Sequence, residues 1–91
     1  MMSSYLTIQS HIGDGRLEEA VTLIQEALGH NPHDARLYYL RGRACMKQGR
    51  WGEAISNFLR SEQIEPDGPA REAREMLEDI MAFYNKDMYN Q

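Results

Sequence analysis

The chain is 91 residues long, 42% apolar and 26% charged, with a formal net charge of −4. That length fits one domain with a modest core, burying roughly 60–65% of the unfolded surface. The acidic balance argues against nucleic acid as the main partner, no run approaches the roughly 18 apolar residues of a membrane span, and Cys45, the only cysteine, excludes an internal disulfide.

Five helices are expected. Ser3 or Ser4 caps a short first helix that runs to about Ile12, with Tyr5, Ile8 and Ile12 on one face. Gly13-Asp14-Gly15 breaks it in a tight turn. The second runs from about Leu17 to Leu28; Leu17, Ala20, Val21, Ile24, Ala27 and Leu28 follow helical spacing, and Glu18-Glu19 suit its N-terminal dipole. Gly29 ends it and Pro32 prevents re-entry. Asp34 is the expected N-cap of a third helix, about Ala35–Gln48, which Gly49 ends. The fourth spans about Trp51–Ile64, with Trp51, Ala54, Ile55, Phe58 and Ser61 facing inward. After Pro66-Asp67-Gly68-Pro69, a fifth helix runs from about Ala70 to Tyr84 on a stripe of Ala73, Met76, Leu77, Ile80 and Tyr84. Residues 85–91 show no clear pattern.

These elements repeat with a period of 34 residues. Laid over 35–68, the segment 1–34 gives seven ungapped identities: Tyr5/Tyr39, Leu6/Leu40, Gly15/Gly49, Arg16/Arg50, Glu19/Glu53, Ala20/Ala54 and Pro32/Pro66. Like residues add to them in Leu17/Trp51, Val21/Ile55, Ile24/Phe58 and Ala27/Ser61. A unit of this length is one helix pair that cannot bury its apolar face alone and stacks on its neighbour. Ala20 and Ala54, mid-helix in matching places, let paired helices approach closely.

The second repeat resembles the tetratricopeptide repeat (TPR) family. Tyr38, Gly42, Gly49, Ala54, Phe58 and Pro66 stand where that pattern asks for a large residue, Gly, Gly, Ala, an aromatic and Pro. It departs at Arg41 (Leu expected), Cys45 (aromatic expected) and Ser61 (Ala expected). The first repeat keeps Gly15, Ala20, Ala27 and Pro32 but has Thr7, Ile8, His11 and Ile24 at the other positions. Residues 69–84 are similar to the lone closing helix of such arrays, and the ending from Phe83 to Gln91 is similar to those of small stand-alone bacterial members. The resemblance implies an all-α, right-handed solenoid in one domain over 1–84: repeat 1 at about 1–34, repeat 2 at about 35–68, a capping helix at about 69–84, and a tail at 85–91. It also implies a concave groove, lined by the first helix of each pair, that takes a short peptide or a partner's helix.

Carried onto this chain, the groove positions are Met2, Tyr5, Gln9, Ile12 and Gly13 in the first repeat and Arg36, Tyr39, Arg43, Met46 and Lys47 in the second. The closing helix adds Ala70, Ala73, Leu77, Ile80 and Met81. Charge concentrates there: residues 35–50 hold Arg36, Arg41, Arg43, Lys47 and Arg50 and no acid. Arg36, Arg43 and Lys47 fall within about 40° of one another around the helix, with Tyr39 beside them. Arginines flanked by an aromatic suit a carboxylate. One reading is therefore a groove for an acidic peptide or C-terminal carboxylate, with contacts from Tyr5, Gln9, Arg36, Tyr39, Arg43, Met46 and Lys47. The other is a solvated face whose cations offset neighbouring acids. Family members that read chaperone tails want Lys and Asn where this chain has Tyr5 and Gln9, which argues against that specific ligand.

Other constellations read as structural. His30 and His33 lie in a turn with no third ligand nearby, so no metal is expected; His11 reads as a half-buried interface residue. Cys45 reads as a buried, inert residue. Glu72, Glu75, Glu78 and Asp79 form a solvated face, with Arg71–Glu75 and Arg74–Glu78 as pairs one turn apart. Arg41 sits roughly opposite the groove, so either its stem is buried and its head reaches an acid such as Glu19 or Glu53, or the helix is locally rotated. Phe83, Tyr84, Met88 and Tyr89 concentrate apolar area at the end of the chain, where the tail folds back as a cap, docks on a second copy, or is disordered. The expectation is a cytoplasmic adaptor or scaffold without catalysis or cofactor, whose partner is a protein or peptide, acidic in the sharper form. It is a monomer or weak homodimer with no nucleic-acid or membrane partner. The alternative is a structural homodimer built on the closing helix and aromatic tail.

Overall fold

The computed structural model describes the backbone of residues 3–89 and the side chains of residues 4–84. Met2 and the side chains of Met88 and Tyr89 lie outside the described residues. Five helices make up the fold, with no strand among the described residues: α1 (Ser3–Gly13), α2 (Leu17–His30), α3 (Ala35–Lys47), α4 (Trp51–Ile64) and α5 (Ala70–Tyr89). Short connections turn each helix back along its predecessor, and contacts run α1 to α2, α2 to α3, α3 to α4 and α4 to α5, with α1 also touching α3.

The two repeats end their first helices in the same way. Gly15 and Gly49 adopt φ of 82° and 77°, a left-handed conformation that glycine reaches without a Cβ penalty. Beyond them, Arg16 N–H donates to the His11 carbonyl (2.8 Å) and Arg50 N–H to the Cys45 carbonyl (2.9 Å). Both are six-to-one Schellman closures that satisfy otherwise orphaned helix-end carbonyls. Asp34 caps α3, its Oδ1 accepting from the backbone N–H groups of Arg36 (2.9 Å) and Leu37 (3.3 Å).

The core has two parts. Ile8, Ile12, Ala20, Ile24, Leu37, Leu40 and Ala44 fill the first, between α1, α2 and α3. Cys45, Ala54, Phe58, Ala70 and Leu77 fill the second, between α3, α4 and α5. Matching positions carry different volumes: Ile8 and Ile24 in the first repeat become Gly42 and Phe58 in the second, all buried. The absent side chain at Gly42 makes room for the Phe58 ring, and α3 packs far more extensively on α4 than α1 does on α2. Ser61, where the repeat pattern wants Ala, is buried and donates its hydroxyl to the Ala35 carbonyl at 2.7 Å, so its polarity is satisfied.

Several expectations are corrected at the array's end. Trp51 is 43% exposed rather than inward; as the first residue of α4 it lies beside Ile80, Met81 and Tyr84 of α5. On α5, Ala70 and Leu77 are buried, but Met76 is 53% exposed and Tyr84 76%, because among the described residues no further helix covers that side. α5 also continues to Tyr89, beyond Tyr84 where its apolar pattern fades, so residues 85–89 do not turn back over it. Arg74 joins α5 to α4: its Nε lies 2.8 Å from Glu62 and its Nη1 2.7 Å from Glu78. Its hydrogen bond to Glu62 is the main reason that carboxyl is held below the usual carboxylate range. This pair therefore contributes at neutral pH and is lost as pH falls through the lowered value. Arg71–Glu75 is the exposed neighbouring pair, at 3.1 Å.

Gly42→Ala tests the close approach. A Cβ there would lie 2.5 Å from Phe58 Cε1 and 2.6 Å from Cδ1, and the ring is fully enclosed. The expected cost is about 1–3 kcal/mol of overpacking, lowering Tm by about 4–8 °C per kcal/mol. A thermal melt unchanged from wild type would show that the α3–α4 spacing does not depend on Gly42.

Candidate functional site

The groove residues sort into a linked set and a remainder. Tyr5, half-buried on α1, donates its hydroxyl to Asp34 Oδ2, the carboxylate whose other oxygen caps α3. Asn31 Nδ2 also donates to Asp34, at 3.3 Å. The Arg36 guanidinium then lies over the Tyr5 ring, 4.8 Å from its centroid. Two turns along α3, the Arg43 guanidinium lies 6.0 Å from the Tyr39 ring centroid, and Tyr39 packs on Phe58 with centroids 5.7 Å apart. The two tyrosines that match across the repeat thus each carry one arginine. An aromatic face holds a guanidinium without neutralising it and leaves its edge N–H groups available.

Among the described residues Arg36, Arg43 and Lys47 take part in no ion pair; the acids that are paired meet Arg50, Arg71 and Arg74 instead. The reading in which these three cations offset neighbouring acids therefore finds no such contacts. Gln9, Arg36 and Tyr39 line a depression of about 340 Å³, closed on its far side by Ser61, Glu65 and Pro69. Glu65 gives it one acidic wall. Lys47 is exposed at the end of α3, and Met46 is half-buried against the second core cluster. Ile12, Ala70 and Leu77, which the repeat register turns toward the groove, are instead buried in the core.

The Tyr5 phenol is held above its ordinary pKa of 10.0, chiefly by its hydrogen bond to Asp34, then by burial and the Asp34 charge, with Arg36 opposing. Burial is the main cause that pushes the Cys45 thiol up, Glu53 adding to it and Arg41 and Arg50 opposing. A buried thiol kept protonated is a poor nucleophile. His30 and His33 are exposed, and no group of three or more His, Cys, Asp or Glu side chains among the described residues is placed to hold a metal. No helix among the described residues is long and apolar enough to cross a membrane.

Arg41 resolves differently from either expectation. Its Nε donates to Asn57 Oδ1 at 2.7 Å, and its guanidinium lies 5.4 Å from the Tyr38 ring centroid. The partner is a neutral amide, not Glu19 or Glu53. A sequence signal for it existed: residues 41 and 57 are equidistant from Gly49, the turn of the helical hairpin.

Five helices in repeating antiparallel pairs, with an aromatic-and-arginine face along the central one, define a helical-repeat interaction module. The tetratricopeptide repeat model matches residues 5–69, and the chain belongs to that family. The solution NMR structure of a Bacteroides fragilis protein is similar to it at 42% identity with a TM-score of 0.86, over 96% of this chain and 89% of that one. No curated protein matches the sequence.

Tyr5→Phe isolates the link between repeats. Losing the hydroxyl is expected to cost about 1 kcal/mol at neutral pH, while the ring under Arg36 remains. A phenol whose pKa is raised on folding contributes below its ordinary value, and that contribution is lost as pH rises through the raised value. Wild type should therefore lose stability relative to the variant in alkaline thermal melts. Parallel alkaline limbs would show that the bond to Asp34 does not stabilise the fold.

Proposed function

We propose that this chain is an adaptor whose groove along α3 docks an acidic peptide or an acidic partner helix, without catalysis or cofactor. The observation that supports the reading is the pair of stacked arginines. Arg36 on Tyr5 and Arg43 on Tyr39 are oriented, half-shielded cations that have no carboxylate partner among the described residues. Guanidinium edges presented in this way take a carboxylate through two parallel N–H···O bonds. Tyr5, Tyr39 and Met46 supply apolar contact, and Gln9 one neutral hydrogen-bonding group. Glu65 repels acid at its end of the depression, so the ligand's carboxylates fall toward Arg43 and Lys47. The cytoplasm is the expected compartment for a chain with one reduced thiol. Membranes and nucleic acid have no role in this reading.

A second reading rests on a different observation. Trp51, Met76, Ile80, Phe83 and Tyr84 are all large, apolar and exposed at one end of the fold, with Phe83 and Tyr84 in edge-to-face contact at 5.7 Å. In this reading that end joins two copies, and Met88 and Tyr89 extend the contact. Sedimentation separates the readings: a mass that stays at one chain up to high concentration removes the dimer.

For the groove, Arg43→Glu is expected to weaken an acidic partner at least tenfold by replacing a charge-assisted bond with repulsion. The Tm should stay nearly unchanged, because Arg43 makes no ion pair among the described residues. Equal affinities of wild type and variant, by calorimetry at low and at physiological salt, would remove the groove.

A further inference from the structure

We infer that the cleft on the opposite side of α3, between α2 and α4, is a second binding site, taking an acid-bearing peptide segment whose carboxylate sits on Arg41. The inference stands independently of the groove. Arg41 lies about 140–160° around α3 from Arg36 and Arg43. The repeat pattern asks for leucine at this position. With arginine there, a cleft of about 730 Å³ is open, its lining including Gln25, Arg41, Cys45, Gln48, Ser56 and Asn57.

The charge in this cleft is fixed and unspent. Asn57 Oδ1 holds the Arg41 Nε at 2.7 Å, and Asn57 is itself held by its Nδ2 donating to the Glu53 carbonyl at 2.8 Å. The Arg41 Nη groups make no hydrogen bond among the described residues. Every buried side-chain nitrogen and oxygen among them has a partner, so those Nη groups are not buried, and Arg41 is part of the cleft's lining. One turn along α4, Arg60 brings a second guanidinium to the same ring, 5.6 Å from the Tyr38 centroid against 5.4 Å for Arg41. Neither guanidinium has an ion-pair partner among the described residues. Glu53, the acid lining the cleft, is 3.7 Å from Arg50. An arriving carboxylate takes up the free Nη edge of Arg41, whose Nε is already held by Asn57. The side-chain amides of Gln25 and Gln48 both donate and accept, which suits the N–H and C=O groups of an extended peptide main chain better than it suits a free anion.

The test is an amide and arginine Nε NMR titration of the full chain with N-acetyl-Glu-Asp-Glu-Asp-amide, with inorganic phosphate and glutarate as separate arms. Arg43→Glu provides a background in which the groove is disabled. The expected result is saturable peptide-induced shifts at Arg41 Nε, the Asn57 side-chain amide and the backbone around Gln25 and Gln48, persisting in Arg43→Glu. Arg41→Leu, which installs the family's residue and should keep the fold, is expected to weaken those shifts at least tenfold. Arg41→Gln, which keeps a polar side chain at this lining position but removes the charge, is expected to weaken them several-fold, so the inference remains testable if Arg41→Leu does not fold. Shifts confined to Arg36, Tyr39 and Arg43, an unchanged titration in both cleft variants, or equal saturation by phosphate or glutarate alone would each overturn it.

Discussion

The contact on which the second half of the molecule depends is the Phe58 ring against the bare Cα of Gly42. A ring with no exposed surface, at a point where a Cβ would come within 2.5 Å, fixes how closely α3 and α4 lie. That closeness brings Ser61 within hydrogen-bonding reach of the Ala35 carbonyl and puts Tyr39 on the edge of the same ring. The first repeat reaches a filled interior by the opposite allocation, with Ile8 on its first helix and Ile24 on its second. Interiors require a filled volume, not a particular residue at a particular place, and the two halves of this chain divide that volume differently. One consequence is that α3, held tightly to α4, presents its free faces at settled angles.

Electrostatics divides the same way. Four acids of α4 and α5 are drawn into short-range pairs, Glu53 with Arg50, Glu75 with Arg71, and Glu62 and Glu78 converging on the partly buried guanidinium of Arg74. Exposed pairs of this kind are each worth about 0–1 kcal/mol, but convergence on one shielded cation ties the closing helix to its neighbour. The cations of α3 are placed where such pairing does not reach them. Three lie on the groove side and Arg41 on the cleft side, and Tyr5, Tyr39 and Tyr38 hold three of the four by their ring faces. Aromatic rings position these guanidiniums while leaving the charge intact.

Much of the fold was legible because punctuation repeats. Gly15 and Gly49 mark helix ends that only a left-handed residue closes, Asp34 is a cap by type and place, and Ala20 and Ala54 mark where helices approach. What periodicity missed lies at the array's end and between helices. Trp51, Met76 and Tyr84 have inward spacing, but inward means something only where a next helix packs, and none packs on the outer side of α5 among the described residues. Cross-helix partners follow a rule that single-helix spacing does not contain. In a helical hairpin, residues equidistant from the turn meet: Arg41 and Asn57, and Tyr38 and Arg60, about Gly49; Glu62 and Arg74 about Gly68. The link from Tyr5 to Asp34 spans the repeats rather than one hairpin, and neither counting rule reaches it.

The candidate sites share one helix and therefore one constraint. Gly42, which must stay bare for Phe58, lies between Arg41, which faces the cleft, and Arg43, which faces the groove. A rigid α-helix is about 10 Å across with its side chains, so groups bound on its two sides are held at nearly fixed separation, whatever their chains do elsewhere. Repacking that shifts α3 against α4 moves both arginines together. Among the described residues, the five helices present a short concave surface. Were both proposed sites occupied by one partner, contacts held at fixed separation would reinforce one another through effective concentration.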